Sequence, residues 1–428
     1  MADQHRVVII GGGFGGLSAA LRLKRAPVQV TLVDRRNYHL FQPLLYQVAT
    51  GSLSPANIAE PLRNILKKQK NTRVLLAEAT QIDAANRRVI LSDGAIDYDT
   101  LVVATGSTHQ YFGHDEWQKF APGLKTVEDA TAMRHRILLA FEAAEREPDP
   151  AKRRAWMTFV IVGGGATGAE LAGALGEIAN DTLRHNFRGI DPTQASILLV
   201  EAAERVLPPY PPRLSEAARR MLVHLGVTIR TGSVVTDIED RSVTIRAGER
   251  SEKIATRTVL WAAGVLGSPL GRCLSEQAGA PLDKAGRVIV EPDLSVPGHP
   301  EIFVIGDLAN FLHQTGQPLP GVAQPAIQEG KYVAEVIARR LRADETRPFH
   351  YFDKGNMATI GRGAAVADLR GLELAGLPAW LLWIFIHLLY IVQFQNRLLI
   401  MLQWAWLYIS FDRSARLITG ENPLPLDF

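Results

Sequence analysis

A run of apolar residues, VVII from Val7, meets a glycine cluster and then an amphipathic stretch, LSAALRL. The same order returns about 150 residues later as FVIV from Phe159, GGG and ELAGALGEIA. A short apolar run bounded by glycines predicts a buried strand, and the spacing of apolar positions after each cluster predicts a helix. Each copy continues to a second strand ending in an acid, Asp34 in VTLVD and Glu201 in ILLVE. Further strands are expected at RVLLA, RRVILS and YDTLVVATGS in the first copy, and at VTIRTGSVVTDIED, RSVTIR and TVLWAAGV in the second. The segment VLWAAG, ending at Gly264, echoes LVVATG, ending at Thr105 and Gly106, so the duplication extends past the glycine turns. A polar helix and linker, Glu128 to Arg154, joins the copies, and IFVIGDLAN returns later as a strand ending at Gly306 and Asp307. From 346 onward a small sheet with glycine turns precedes two strongly apolar runs.

The glycine clusters carry chemistry. Gly11, Gly13 and Gly16 form the pattern G-x-G-x-x-G, and Gly163, Gly165 and Gly168 repeat it. The first glycine permits a tight strand-to-helix turn, the second lets backbone approach a pyrophosphate, and the third lets helix pack on strand. The helix N-terminus then offers N–H groups to the phosphates. Asp34 follows Gly13 by the roughly 20 positions expected of an acid that binds ribose hydroxyls. Glu201 lies farther from Gly165, and the excess falls in the polar insert NDTLRHNFRGIDPTQAS, whose Gly189, Asp191 and Pro192 mark turns. A carboxylate at Glu201 favours the 2′-hydroxyl of NADH over the 2′-phosphate of NADPH, although Arg205 stands close by in sequence. Two such units in one chain suggest two dinucleotides whose reactive rings can meet, the plan of flavin-dependent pyridine-nucleotide oxidoreductases. In flavoproteins of that plan a Gly-Asp pair such as Gly306–Asp307 reaches the flavin ribityl and pyrophosphate portion; a generic strand-end turn is the alternative.

The expected fold class is α/β, with two Rossmann-like dinucleotide-binding domains and a C-terminal membrane-associating helical segment. The boundaries read as 1–125 with 280–345 for a discontinuous first domain, 126–279 for the second, and 346–428 for the third. Composition narrows the chemistry. The 428 residues include a single cysteine, Cys273, so no C-x-x-C pair, iron–sulfur cluster or zinc cage can form within the chain. Disulfide reductases and sulfide–quinone reductases, which share the two-dinucleotide plan, need reactive cysteines and are excluded. A net charge of +3 without basic runs argues against nucleic acid. The first strand starts close to Met1, which leaves no room for a signal peptide and predicts dinucleotide sites facing the cytoplasm.

The apolar run from Ala379 to Phe394 is too short to span a bilayer comfortably, at about 24 Å as a helix against a need of about 20 residues. The run Leu398 to Phe411 is shorter, and both carry polar residues: His387, Gln393, Gln403 and Ser410. Trp380, Trp383, Tyr390, Trp404, Trp406 and Tyr408 are of the types that prefer the headgroup level, and Arg397, Arg413 and Arg416 are placed to meet anionic lipid. Two helices lying in one leaflet are expected, with burial in a core or dimer interface and a true span as the alternatives.

At this point the chain resembles the type II NADH dehydrogenases, single-chain NADH:quinone oxidoreductases of respiratory membranes. The resemblance rests on both glycine fingerprints, on HLFQPLLYQVATGSLSP, IGDLA, AQPAIQEGKYVA and FDKGNMATIGR, and on the aromatic tail. It implies a peripheral membrane flavoprotein, monomeric or homodimeric, with noncovalent FAD on the first turn and NADH as substrate on the second. It further implies delivery of electrons to ubiquinone or menaquinone without proton pumping, at the cytoplasmic side of the bacterial inner membrane. AQPAIQ is similar to the family's quinone-site motif, which would put Gln324, Gln328 and the Ala323 backbone beside the flavin ring. Glu170 matches an acid placed near nicotinamide and flavin, where it relays a proton to the quinone; complementing the helix dipole is the alternative. His387 is read as packed or interfacial and Lys354 as a surface lysine, with proton entry the sharper option for the histidine. The rival readings are a flavoprotein reductase of a protein acceptor such as ferredoxin or rubredoxin, and a membrane-anchored NADH-binding redox sensor.

Overall fold

The computed structural model describes residues 4–392, 394–410 and 412–419. Gln393 and Phe411 of the apolar runs, and the predicted C-terminal domain from Gly420 on, lie outside the described residues. Strand β1 (His5–Ile10) runs through the first glycine cluster into helix α1 (Phe14–Arg22) and β2 (Val28–Asp34). Helix α2 (Leu45–Ala49), β3 (Thr72–Leu76), β4 (Thr100–Val103) and α3 (Val127–Arg146) follow. The second copy holds β5 (Thr158–Val162), α4 (Ala166–Glu177), β6 (Ser196–Val200), β7 (Val227–Arg230) and β8 (Thr258–Trp261). Strand β9 (His299–Val304) and α5 (Ala323–Arg340) precede a meander of β10 (Asn356–Gly361), β11 (Ala364–Leu369) and β12 (Leu372–Ala375). Helices α6 (Leu377–Tyr390) and α7 (Phe394–Ser410) come last.

Two units result. The first is built from the chain up to Leu40, Ala59–Thr108 and Val265–Asp353; the second from Phe41–Ile58, His109–Gly264 and the chain from Lys354 on. In the first, parallel strands lie in the order β9, β4, β1, β2, β3, with the short strand Ser295–Val296 antiparallel at the outer side of β9. In the second the parallel order is β8, β5, β6, β7, the same neighbours in the same sense as β4, β1, β2, β3. Strands covered on both faces must be apolar throughout, and Val7 to Ile10 and Phe159 to Val162 are all buried. The run IFV in β9 meets the same demand beside β4, which is why the chain returns to the first sheet.

The units differ from the boundaries expected from sequence. The second takes Phe41–Ile58 and begins again at His109, and the residues from 354 on pack with it. The meander packs so closely on α4 that a Cβ at Gly173 would lie 1.7 Å from the Ile360 carbonyl oxygen. The helix expected from Glu128 is α3, and the rest of the stretch to Arg154 is mostly a second short helix rather than a free linker. Thr126 and Asp129 form a capping box at the start of α3, and Met133, Ile137, Phe141 and Ala144 bury one face of it. Asp149 caps a second short helix, Pro150–Trp156.

The apolar tail divides its residues between two roles. Trp383 and Trp404 are buried with ring centroids 5.4 Å apart, so they are core residues and not headgroup anchors. Arg413, expected at lipid, is 3% exposed. It donates to Glu177 at the end of α4 at 2.7 Å and to Thr50 and Ser52. Removing one partner from such a buried pair costs about 3–5 kcal/mol, so the segment after α7 is fixed to α4. Leu377, Leu381, Phe385 and Leu389 form an exposed stripe at i, i+4 spacing on α6, and Leu398, Leu402, Trp406 and Ile409 are exposed on α7. Among the described residues no helix is long and apolar enough to cross a membrane.

Candidate functional site

The two glycine turns are built alike, down to single hydrogen bonds. Gly11 and Gly163 both sit at φ +103°, a conformation that L side chains rarely adopt. Their N–H groups donate to Val33 and Val200 at 2.8 Å in each case. A Cβ at Gly16 would fall 1.9 Å from the Gly11 carbonyl oxygen, and one at Gly168 would fall 1.7 Å from that of Gly163. Gly13 and Gly165 occupy the N-cap positions of α1 and α4, neither helix start has a side-chain cap, and no atom lies within 4 Å of a Cβ built there. Each helix therefore presents its first N–H groups beside open backbone, the arrangement that receives a phosphate.

The acids are tied to the turns they serve. Asp34 accepts from Gly12 N–H at 2.6 Å and Arg36 N–H at 2.7 Å; Glu201 accepts from Gly164 N–H at 2.5 Å and Ala203 N–H at 2.7 Å. Burial raises the carboxyl pKa of Asp34 against the opposing pull of those N–H donors. Beneath the first turn the buried His39 ring holds the Gly12 carbonyl at 2.9 Å through Nδ1 and meets Phe14 edge-on at 5.1 Å. Burial lowers the His39 pKa, so the ring is neutral and Nδ1 is the donor to that carbonyl.

Around the first turn the same unit gathers its remaining predicted residues. The Thr105 and Ser268 hydroxyls lie 2.5 Å apart, and Ser268 N–H donates to the Gly106 carbonyl at 3.1 Å. Ser107 donates to Asp307 at 2.8 Å. Gly306, at φ +72°, donates its N–H to Glu329 at 2.5 Å. Helix α5 crosses α1 so closely that a Cβ at Gly330 would lie 2.2 Å from the Gly15 carbonyl oxygen. Its start at Ala323 has no side-chain cap. Gln324 Oε1 is buried without a hydrogen-bond partner, whereas Gln328 exchanges two hydrogen bonds of 3.0 Å with the Phe352 backbone. These residues fit FAD: a phosphate cradle, a ribose acid, a polar strand-end turn and an orphaned amide oxygen share one unit.

Glu170 lies in the second unit with Gly163, Gly165, Gly168, Glu201 and Gly264. It is partly buried as a residue, and desolvation pushes its carboxyl pKa up to about 8 against a hydrogen bond from the Thr359 backbone. His387 is held at about 4 by burial, with Nδ1 on the Trp383 carbonyl at 2.7 Å and its ring stacked on Trp383, so it is a packed neutral residue. Lys354 Nζ donates to the Tyr390 hydroxyl at 2.9 Å, which anchors the end of α6. Sequence reasoning missed Glu329, which is 2% exposed and whose pKa burial raises to about 8. Its signal was present: it falls on the buried helical stripe Pro325, Ala326, Glu329, Gly330, Val333. His39, Tyr46 and Gln47 carry no local signal of this kind.

Comparison with known proteins agrees with this geometry. Residues 5–330 match the family model of the pyridine nucleotide-disulphide oxidoreductases, and residues 354–411 match that of the NDH2 C-terminal domain. The chain is 46% identical to the type II NADH:quinone oxidoreductase Ndh of Mycobacterium tuberculosis over 98% of its own length and 91% of that protein. It is 29% identical to the type II NADH:quinone oxidoreductase of Staphylococcus haemolyticus over 88% of its length and 92% of that protein. The chain belongs to the type II NADH:quinone oxidoreductases. Its fold is that of NDH2 from Plasmodium falciparum, solved in complex with NADH, at TM-score 0.86, 22% identity, 95% of this chain and 98% of that one. The sulfide:quinone oxidoreductase of Aquifex aeolicus also shares it, at TM-score 0.74 and 18% identity over 92% of this chain and 91% of that one.

Proposed function

We propose that this protein passes two electrons from NADH through noncovalently bound FAD to a membrane quinone, without moving protons across the membrane. It would work as a peripheral enzyme on the cytoplasmic face, the compartment that holds NADH. The observation that carries this reading is one glycine-turn geometry built twice, in a chain whose last helices turn an apolar face outward. FAD would be held by Gly11, Gly13, Gly16, Asp34, Thr105, Gly106, Gly306, Asp307 and Ala323, and NADH by Gly163, Gly165, Gly168, Glu201 and Gly264. When bound, FAD supplies the redox chemistry that couples NADH oxidation to quinone reduction.

The chain itself supplies position and protons. The uncapped starts of α1 and α4 orient pyrophosphates, and Asp34 and Glu201 each hold a turn while facing a ribose. Quinol formation takes up two protons, and Glu170, protonated at neutral pH, stores one of them. Gln324, whose buried amide oxygen has no hydrogen-bond partner, would accept from a quinol hydroxyl, while Gln328 keeps the segment at Phe352 in place. The FAD-loaded protein is expected to oxidise NADH at least about tenfold faster when a short-chain quinone is added, with typical turnover above roughly 1 s⁻¹. An unchanged rate would remove the quinone reading.

The stripe on α6 and α7 is the surface we assign to lipid. Phe385→Asp with Leu402→Asp is expected to abolish flotation with vesicles while leaving turnover with a water-soluble quinone intact. Continued tight flotation of the double variant would contradict the assignment.

A further inference from the structure

The turn at residues 111–114, in the second unit, carries a side chain that its backbone disfavours. His114 N–H donates to the Tyr111 carbonyl at 3.0 Å, and the two residues between them, Phe112 and Gly113, sit at φ +53° and +92°. Positive φ at both central positions makes a tight turn that favours Gly, Asn and Asp. A bulky residue there is an outlier, and it persists only where its surroundings hold it. They do so here. The buried Tyr111 donates its hydroxyl to the Ala121 carbonyl at 2.8 Å, and the His114 ring stacks on Trp117 at 4.2 Å. Burial does not offset the strain, because Phe112 is 59% exposed.

The ring lies at the rim of the second glycine turn. A Cβ built at Gly264 would meet Phe112 Cζ at 2.7 Å, so the ring rests on the open side of that glycine. The backbone just before it packs on Gly163, where a Cβ would fall 2.8 Å from the Ala262 carbonyl oxygen. Sheet order decides which half of a dinucleotide comes near. Strand β8, which leads to Gly264, lies on one side of β5, and β6, which leads to Glu201, lies on the other. A nucleotide with its pyrophosphate on the turn and its adenosine ribose at Glu201 extends its nicotinamide half toward Gly264. We propose that Phe112 is the platform on which NADH stacks its nicotinamide ring, held exposed by a strained turn. The inference rests on the assignment of the second turn to NADH.

The test is calorimetric titration of the FAD-loaded enzyme with NAD⁺, which leaves the flavin oxidised, and with ADP-ribose, which lacks the nicotinamide. The oxidised nicotinamide is a pyridinium cation, which an aromatic face attracts. Phe112→Leu is expected to weaken NAD⁺ binding by about tenfold and ADP-ribose binding by less than about twofold. Phe112→Tyr, which keeps an aromatic face, should stay within about threefold of the wild type for both ligands. Phe112→Asn, which suits the left-handed backbone, should lose NAD⁺ affinity like Phe112→Leu while its Tm rises by about 1–2 °C. Equal weakening of the two ligands in Phe112→Leu, or no weakening of either, would overturn the stacking role. A lower Tm with NAD⁺ affinity kept in Phe112→Asn would make Phe112 a packing residue. If Gly168→Ala binds both ligands as the wild type does, the second turn fails as the NADH site, and this inference fails with it.

Discussion

Glu170→Gln is expected to slow quinone-dependent turnover by about 10²- to 10⁴-fold, the range supplied by a positioned general acid or base. The substitution keeps the size and the hydrogen bond from Thr359 but removes the titratable proton. The pH dependence gives the sign. Desolvation raises the carboxyl pKa to about 8, so the protonated, proton-supplying form predominates below that pH and is lost above it. Wild-type kcat should therefore fall as pH rises through about 8, and the variant should show a low, flat profile over the same window. A variant that retains both the wild-type rate and the alkaline limb would return Glu170 to a helix-dipole role.

Gly168→Ala is expected to yield protein that binds FAD yet is not reduced by NADH, a loss of at least about 10³-fold in kcat/KM. The added methyl would lie 1.7 Å from the Gly163 carbonyl oxygen, and that obstacle is backbone, which cannot swing aside. The helix start must then move off the strand, and its N–H groups leave the place where a pyrophosphate would meet them. Gly16→Ala makes the same clash in the first unit, at 1.9 Å, and there the expected loss is of flavin itself. Visible absorbance of the purified variants and anaerobic bleaching by NADH separate the two outcomes. If Gly168→Ala is bleached like the wild type, the second turn does not bind NADH.

Much of this was legible in the sequence because it depends on short, local constraints. A left-handed φ at Gly11 and a helix seated against its own turn at Gly16 demand glycine at fixed spacing, so the pattern survives in the letters. The duplication was legible for the same reason, and so was the return strand ending at Gly306–Asp307. At 128–154 the helix was legible, but not that the stretch after it folds into a second short helix, Pro150–Trp156, instead of a linker. The tail misled in a different way. Aromatic composition distinguishes neither Trp404, which faces Gln47, nor Arg413, which faces Glu177, from the exposed Trp406, because the partner in each case is hundreds of residues away.

By itself the sequence determined two glycine turns of the dinucleotide-binding pattern, the acids that follow them, a single cysteine and an apolar C-terminal end. These follow from residue types and spacing along one stretch of chain. Only the tertiary structure decided which tail aromatics are core and which face outward, that Gln328 is committed to Phe352, and that Glu329 and Glu170 are acids with pKa values near 8. Burial and hydrogen-bond direction depend on what other segments bring to a side chain. A carboxyl or a phenol carries no mark of them in the sequence.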